Sequence, residues 1–286
     1  MKTHTKEVCV FFLTTAAEYE KMYLERAIDY YLNKLSKSEC EYIFDLFIFF
    51  DQTPKKRLNS HLEAYESSSY INKVKVVSHE IPDEENLYER DLSRPFSLDE
   101  LPMGRSHGIN HHFYSTLDYL FETEYKSFLL LEHDTKPFRN DWLTPLIKHS
   151  ENEDFKLAGS TYKGKNRKVH LESYYGGHLN GVGLYRNSKE CKELFNNGKE
   201  FLKKELISDL VKPKGNREPG TNPKYYEFMN YDVATFLYAE ANDELCGYND
   251  SEFFTNASAP EDENTRVKSL LKQYPSTLIM HHKKLY

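Results

Sequence analysis

Short apolar runs alternate with amphipathic segments along the first half of the chain. Continuous apolar runs at residues 8–15, 42–50, 74–77 and 127–131 predict strands that are buried on both faces. Between the first two runs, apolar residues recur at helical spacing within a charged segment: Leu24, Ala27, Ile28, Tyr31, Leu32 and Leu35. Helices are also predicted at residues 55–67 and 106–123. Strands and helices alternating at this spacing indicate a parallel sheet covered by helices.

The second half of the chain continues this pattern with longer interruptions. It predicts a strand at 157–160, a small-residue turn at 181–183 that leads into Leu184-Tyr185, helices at 189–210 and 231–241, and a last strand at 277–280. Residues 83–104 and 212–224 are predicted loops, because the first is rich in acids and proline and the second holds three prolines and two glycines. We therefore predict one α/β domain over residues 1–286, with a mixed, mainly parallel sheet flanked by helices.

The carboxyl ends of the predicted strands carry hydrogen-bonding or charged groups. Such ends are where parallel α/β sheets bind ligands. The residues concerned are Thr14, Thr15, Asp51, Glu132, Asp134 and the four residues 281–284. Any one of them alone could be an ordinary polar residue at a strand-to-loop junction. Four strand ends of this kind together indicate a single convergent site.

The tripeptide Glu132-His133-Asp134 suggests a metal site. Alternate residues of a strand share a face, so the two carboxylates project the same way. Two carboxylates at the end of a buried strand repel each other and lose solvation, which is costly unless a cation is bound. Hard oxygen ligands suit Mg²⁺ or Mn²⁺, which also bind substrate phosphates. The alternative is that His133 and Asp134 merely begin a turn and Glu132 is exposed.

Composition narrows the class of function. The net charge of −7 argues against a nucleic-acid partner, and an acidic protein that holds a pyrophosphate needs a metal or a local basic cluster. Four scattered cysteines without a CxxC pair argue against a zinc ribbon or a disulfide framework. The polar start of the chain and the lack of an apolar run of about 20 residues predict a cytoplasmic protein without a membrane span, which would touch a membrane only through its substrate.

Three segments resemble the glycosyltransferases of the GT-A type. Residues 129–137, followed by Asp141-Trp142-Leu143, resemble the D-x-D region of those enzymes. Residues 177–185 look like their small-residue acceptor-side segment, and residues 279–284 like their last strand with its His-x-x-Lys ending. The resemblance implies a GT-A fold that transfers sugar from a UDP- or GDP-sugar to a glycan or glycolipid, as in the synthesis of a surface polysaccharide or glycoconjugate.

The resemblance also implies how the chain is divided and what it binds. Residues 1–150 would form the nucleotide-sugar half, and residues 151–286 the acceptor half with the C-terminal metal and phosphate strand. The implied cofactor is Mn²⁺ or Mg²⁺, held by Glu132, Asp134 and His281, with His282 as the alternative to His281. Because Glu stands first in the motif where the family has Asp, Glu132 is either a metal ligand or a ribose contact.

Further site residues follow from their places along the chain. Similar enzymes hold the nucleotide with a loop bearing Gly, Arg or Asn, which implicates Arg105 and Asn110 in donor binding beside Thr14, Thr15 and Asp51. Lys284 would contact the diphosphate. The acceptor-side candidates are His178, Asn180 and Gly181. His107 and His111 lie four residues apart, but without a further ligand in the sequence nearby a zinc site is disfavoured.

Asp232, at the start of a predicted helix after a loop, is the candidate base for the acceptor hydroxyl. A plain helix cap is the alternative for this residue.

Two other classes of protein fit parts of the sequence. A nucleotidyltransferase that makes sugar nucleotides also uses an α/β sheet and Mg²⁺, but it would carry a glycine-rich, basic loop after the first strand. Residues 14–18 here contain neither glycine nor a basic residue. A non-catalytic sugar-binding protein that kept the fold is the second alternative.

Overall fold

The computed structural model describes residues 2–54, 64–86, 101–164, 177–211, 229–257 and 267–282. The strands are β1 (Thr3–His4), β2 (Val8–Thr14), β3 (Tyr42–Phe50), β4 (Ile71–Ser78), β5 (Ser127–Leu131), β6 (Thr135–Pro137), β7 (Leu157–Gly159), β8 (Gly183–Arg186), β9 (Tyr248–Asp250), β10 (Phe254–Asn256) and β11 (Ile279–His281). The helices are α1 (Ala16–Glu20), α2 (Tyr23–Leu35), α3 (His107–Phe121), α4 (Leu143–Asn152), α5 (Lys189–Val211), α6 (Tyr231–Ala241) and α7 (Val267–Gln273).

The main sheet contains eight strands in the order β1-β3-β2-β5-β8-β7-β9, and β4 pairs with β3. All neighbouring pairs are parallel except those of β8, which runs antiparallel to both β5 and β7. The predicted mixed, mainly parallel sheet flanked by helices is therefore confirmed. The sheet is built from both halves of the chain, because β7, β8 and β9 come from the second half.

The hydrophobic pattern of β2 explains why its apolar run is continuous. Val8, Val10 and Phe12 pack on one face of the sheet, in a core shared with α2 and α4. Cys9 and Phe11 point to the other face, in a core shared with α3, α5 and α6. A strand with helices on both faces has no side for polar residues until it ends.

Register brings the strand ends together. Within the parallel ladders, Thr14 of β2 lies opposite Phe50 of β3, and Phe12 lies opposite Leu131 of β5. The residues that follow these strands are therefore neighbours at one edge of the sheet. These are the polar residues for which the sequence predicts a convergent site.

A second, three-stranded sheet in the order β10-β11-β6 adjoins this edge. Strand β6 begins one residue after Asp134, and β11 runs antiparallel to it with His281 opposite Thr135. This pairing carries the C-terminal strand to the end of β5. The last strand is displaced from its prediction: it covers Ile279–His281 rather than 277–280.

Helix bounds agree with local signals. Helix α1 begins at Ala16 and is capped by Thr15, whose side chain accepts from the backbone N–H of Glu18 while the Glu18 carboxylate accepts from the N–H of Thr15. The predicted spans 42–50, 127–131 and 231–241 coincide with the observed elements. The predicted helix at 55–67 and the predicted loops at 83–104 and 212–224 fall largely or wholly outside the described residues.

One charged side chain lies inside the main sheet. Asp45 of β3 is 0% exposed and accepts hydrogen bonds from the Tyr125 hydroxyl and from Asn72 Nδ2 at 2.8 Å. Lys73 forms an ion pair with it at 3.3 Å, and His4 Nε2 lies 3.2 Å from its Oδ1. Burial alone would raise the pKa of Asp45, but these bonds and charges outweigh burial and lower it. The ionised carboxylate therefore ties β1, β3, β4 and the segment before β5 together.

Asp45→Asn is expected to lower the free energy of unfolding at pH 7 by about 1–3 kcal/mol, because an amide leaves buried donors without their acceptor. The lowered pKa also gives a pH signature. An unfolded aspartate has a pKa of about 3.9, so the contribution of Asp45 is complete above that value and is lost as the pH falls toward its folded-state pKa. Urea unfolding of both proteins as a function of pH measures this.

The difference in stability between wild type and Asp45→Asn should shrink as the medium is acidified below about pH 4. Asp118→Asn, at an exposed position of α3, is the matched control and should change little. If the two aspartate variants lose stability equally at every pH, the stabilising role of Asp45 is refuted.

Candidate active site

Two carboxylates and an imidazole meet where β5 ends. His281 Nε2 lies 3.0 Å from Asp134 Oδ2 and 3.5 Å from Glu132 Oε2. A tight connection places the two carboxylates: the N–H and the hydroxyl of Thr135 both donate to the Glu132 carbonyl, at 3.1 and 2.7 Å. The antiparallel pairing of β6 and β11 then brings His281 to them. We call Glu132, Asp134 and His281 the metal cluster.

The orientation of the His281 ring is fixed from behind. Its Nδ1 lies 3.1 Å from the side-chain oxygen of Asn180, so Nδ1 carries a hydrogen and donates it. Asn180 is held in turn, because its N–H donates to the Ser160 carbonyl and its Oδ1 accepts from the N–H of Val182. A histidine that ligates a metal typically donates its other N–H in this way. Asn180, predicted to bind acceptor, thus contacts the metal cluster.

The electrostatics of the metal cluster require a positive charge. Burial raises the pKa of Glu132 to about 7 against the attraction of His281, and Asp134 adds to the rise. The pKa of Asp134 is lowered, because His281 outweighs burial. Burial would lower the pKa of His281, but Asp134 and Glu132 raise it to about 9. In the cation-free protein the imidazolium of His281 therefore compensates the carboxylates.

The residues of the metal cluster fit a divalent cation. One atom from each of the three side chains lies within 4.8 Å of the others. Asp134 Oδ1 is buried and has no hydrogen-bond partner, which a bound cation would correct. Two carboxylates and one imidazole form a donor set that suits Mn²⁺ or Mg²⁺. Of the two adjacent histidines, only His281 belongs to this set among the described residues.

A cavity of about 210 Å³ opens beside the metal cluster. It is lined by Leu13, Thr14, Thr15, Glu18, Ile109, His112, Glu132, His133, Asp134 and Tyr231. Predicted site residues from the ends of β2 and β5 therefore share one cavity wall, as expected from the register of the sheet. Three of the lining residues are acidic, so an anionic ligand in this cavity needs a cation to offset the repulsion.

Asp51, at the end of β3, organises the loops around the cavity. Its Oδ1 accepts from the N–H groups of Ala16 and Gln52, both at 2.8 Å, and its Oδ2 accepts from Asn86 Nδ2 at 2.8 Å. The carboxylate is 4% exposed and is fully engaged in joining three loops. In this arrangement Asp51 positions the segment that carries Thr14 and Thr15.

Solved structures resemble the whole fold. An active-site mutant of the galactosyltransferase LgtC matches with a TM-score of 0.50 and 13% sequence identity, covering 96% of this chain and 86% of that one. Mouse xyloside xylosyltransferase 1 in its apo form matches with a TM-score of 0.50 and 13% identity, covering 99% and 98%. Comparison with protein-family models and with curated proteins gives no match.

The chain has the GT-A fold. This confirms the fold that the resemblance of its sequence segments implied. Among the described residues, the structure contains no helix that is both long enough and apolar enough to cross a membrane.

Two other predicted donor contacts of this GT-A chain, Asn110 and Arg105, do not line the cavity. Asn110 is 0% exposed, and its amide donates to the carbonyls of Met229 at 2.9 Å and Met103 at 3.4 Å. It thereby joins α3 to the segment before α6. Arg105 lies in a single 3₁₀ turn, residues 104–106, that precedes α3 and begins at Gly104 with a φ of 76°. Neither side chain is among the residues that line the cavity. Lys284 lies outside the described residues.

The acceptor-side candidates surround the start of α6. His178 Nε2 lies 3.8 Å from Asp232 Oδ2. Gly181 is required by packing, because a Cβ there would come within 2.0 Å of the Tyr231 hydroxyl. The Tyr231 ring stacks on Phe113 at 3.4 Å between centroids and lines the cavity. Gly181 thus shapes the cavity through Tyr231.

A second group with metal-ligand chemistry involves the two histidines for which the sequence disfavours zinc. The fold supplies a third residue, Glu85, which is 3.1 Å from His107 Nε2 and 3.6 Å from His111 Nδ1. However, His107 Nδ1 accepts the N–H of Met103 at 3.3 Å, so Nε2 carries the hydrogen and donates it to Glu85. That tautomer offers Glu85 a hydrogen bond and leaves His107 without a lone pair for a metal.

Several cavity residues escaped the sequence analysis. Glu18 could have been found, because Thr15 followed by Glu18 is the pattern of a capping box, which places both side chains at the end of β2. His112, Ile109 and Tyr231 are apolar-face residues of α3 and α6 in the sequence, and nothing in their spacing distinguishes a cavity wall from a core position.

Proposed function

We propose that this protein is a metal-dependent glycosyltransferase that moves a sugar from a UDP- or GDP-sugar to a hydroxyl group of a glycan or glycolipid. The observation that carries the proposal is the metal cluster, with its unpaired Asp134 oxygen, in the wall of a cavity at the carboxyl edge of the GT-A sheet. Ligands of open α/β sheets bind at that edge. The GT-A fold of the two solved transferases supports the same class of chemistry.

Glu132, Asp134 and His281 would hold Mn²⁺ or Mg²⁺. When bound, the cation would neutralise the charge that develops on the leaving diphosphate. Asn180 keeps His281 in the tautomer whose Nε2 can bind it. Thr14, Thr15 and the loops fixed by Asp51 form the wall against which the donor lies, and Lys284 would contact the diphosphate. Asn110 supports this wall by joining α3 to the segment before α6, and Arg105, in the turn before α3, would contact the donor.

Asp232 is the proposed base for the acceptor hydroxyl. Its carboxylate is 15% exposed and contributes to the raised pKa of both Glu132 and His281, so its charge lies close to the metal cluster. His178, 3.8 Å away, is the proposed partner that orients it or binds the acceptor. Transfer with inversion needs such a base, which takes the hydroxyl proton as the acceptor oxygen attacks the sugar.

The cellular setting follows from the proposed substrates. A cytoplasmic enzyme with this chemistry would serve the synthesis of a surface polysaccharide or glycoconjugate, and a glycolipid acceptor would bring it to the membrane surface. Within that setting we propose that residues 1–150 bind mainly the donor and residues 151–286 mainly the acceptor.

The proposal is tested by product analysis with a panel of UDP- and GDP-sugars in the presence of Mn²⁺ or Mg²⁺. Release of nucleoside diphosphate that stops when the metal is chelated is the expected result. Release of pyrophosphate from a nucleoside triphosphate and a sugar phosphate would instead identify a nucleotidyltransferase. Sugar binding without any turnover, over the whole panel and with simple glycan acceptors, would identify a binding protein and refute the transferase.

A further inference from the structure

His112 of α3 is a buried histidine in the wall of the cavity that the proposed donor would fill. The side chain is 4% exposed, and its Nε2 atom is buried without a hydrogen-bond partner. Nearly all buried polar atoms in folded proteins are hydrogen-bonded, so each exception needs a specific explanation. A ligand in the adjoining cavity is one such explanation.

The tautomer of His112 follows from its other nitrogen. The backbone of Phe49 favours the protonated form of the ring, so the group that faces the ring is the carbonyl, an acceptor. Since Nε2 has no partner, the donor to Phe49 is Nδ1–H. Nε2 therefore carries a bare lone pair and can only accept a hydrogen bond.

The surroundings keep this imidazole neutral. Burial lowers the pKa of His112 to about 3, and the rings of His79 and His111 act in the same direction. His79 packs edge-on at 5.4 Å between centroids, but its own Nε2 is bonded to Thr116 Oγ1 at 2.8 Å. The lone pair on His112 Nε2 is therefore present at neutral pH, and the neighbouring His79 ring does not donate a hydrogen bond to it.

We propose that His112 Nε2 accepts a hydrogen bond from the nucleoside of the donor and thereby selects nucleotides that carry the matching hydrogen. The inference rests on the proposed function, since it takes the cavity to be the nucleotide site. Two kinds of group in the nucleosides of UDP and GDP supply this chemistry: the ribose hydroxyls and the N–H groups of the base. His112 and Asp134 line the same cavity, so a nucleotide whose diphosphate lies at the metal cluster has its nucleoside in reach of this wall.

Selectivity is expected because the acceptor is buried. Leu13 and Ile109 form the apolar wall beside His112 and offer no replacement hydrogen. A ligand without the matching hydrogen leaves Nε2 unpaired within a filled cavity, and sites built to hydrogen-bond one group discriminate well against analogues that lack it. The ionised carboxylate of Glu18 on the same cavity wall accepts the N–H of Thr15 and has no hydrogen to donate to Nε2.

The test compares nucleotide analogues by calorimetric titration in the presence of Mn²⁺. Wild-type protein is titrated with UDP, GDP, and the 2′-deoxy, 3′-deoxy and N3-methyl analogues of UDP. One analogue should bind about tenfold more weakly than UDP, the effect of one hydrogen bond, and its identity tells ribose from base. His112→Asn keeps an N–H for the Phe49 carbonyl but has no atom at Nε2. It should bind UDP about tenfold more weakly and lose the discrimination, which a double-mutant cycle between protein and ligand shows as coupling.

Equal binding of UDP and all three analogues by wild type would overturn the inference, as would a His112→Asn protein that discriminates as wild type does. If His112→Asn does not fold, the wild-type series still decides, and His112→Gln, whose amide oxygen can replace Nε2, should retain the discrimination. A wild-type protein that binds neither UDP nor GDP refutes the proposed function, and the inference with it. Nucleotide binding without discrimination refutes the inference alone.

Discussion

Asp134→Asn is expected to reduce donor turnover by a factor on the order of a thousand or more while the protein remains folded. A cation acting as a Lewis acid stabilises the transition state by several kcal/mol, and each 1.4 kcal/mol or so changes a rate tenfold. An amide is a much poorer ligand for Mn²⁺ than a carboxylate, so the variant binds the cation more weakly or not at all. The fold should persist, since Oδ1 of Asp134 has no hydrogen-bond partner and the bond between Oδ2 and His281 Nε2 is one that the amide oxygen of asparagine can also accept.

Two measurements separate this effect from unfolding. Nucleoside-diphosphate release reports turnover, and the thermal shift caused by UDP or GDP with Mn²⁺ reports binding, because a ligand of the native state raises the melting temperature. Asp134→Asn should keep the melting temperature of the ligand-free protein and lose the shift. Asp118→Asn, on the exposed face of α3, should keep both. An Asp134→Asn protein that remains active with the metal chelated would refute the metal cluster as the centre of the reaction.

Asp232→Asn should lower kcat by about 10²- to 10⁴-fold, the usual contribution of general base catalysis. The amide has nearly the same shape as the carboxylate but cannot take the proton of the acceptor hydroxyl. Donor binding should be preserved, because Asp232 is not among the residues that line the cavity beside the metal cluster. The expected pattern is therefore a large loss of kcat with an unchanged thermal shift by nucleotide and Mn²⁺.

Asp243→Asn is a suitable control for Asp232→Asn. Asp243 follows the same helix, is exposed, and has a φ of 58°, which asparagine adopts as readily as aspartate does. It should leave kcat unchanged. If the kcat of Asp232→Asn stays close to that of Asp243→Asn, Asp232 is a helix-start residue without a role in proton transfer. A rise in KM for the acceptor, with kcat unchanged, would assign it to acceptor binding.

The fold was predictable from the sequence where the residues of a single strand form a recognisable hydrophobic pattern. Strands β2, β3 and β5 are buried on both faces, so their sequences are continuously apolar and end in polar residues. The short strands β6, β9 and β10 have three residues each and owe their existence to pairing with distant segments. Three residues contain too little periodicity to distinguish a strand from a loop.

The site was predictable to the same extent. Glu132 and Asp134 are neighbours in sequence, and their shared face follows from strand geometry alone. The choice of His281 over His282 depends on the register of β11 against β6, and the contact of Asn180 with His281 joins residues 101 positions apart. Asn110 and Gly181 show the converse. Both lie near the site, but the Asn110 amide hydrogen-bonds to backbone carbonyls, and Gly181 leaves the space that the Tyr231 hydroxyl occupies.

The antiparallel pairing of β6 and β11 has a consequence for the order of folding. It joins Asp134 to a residue 147 positions later, so the cation ligands cannot assemble until the last described strand has docked. Contacts between such distant segments form late, because a long loop must close before they are made. A divalent cation at the metal cluster would bind all three ligands only after β11 has paired with β6. If the protein binds such a cation as proposed, the cation would hold β11 in place: its removal should let β11 exchange its amide hydrogens faster while β2, β3 and β5 stay protected.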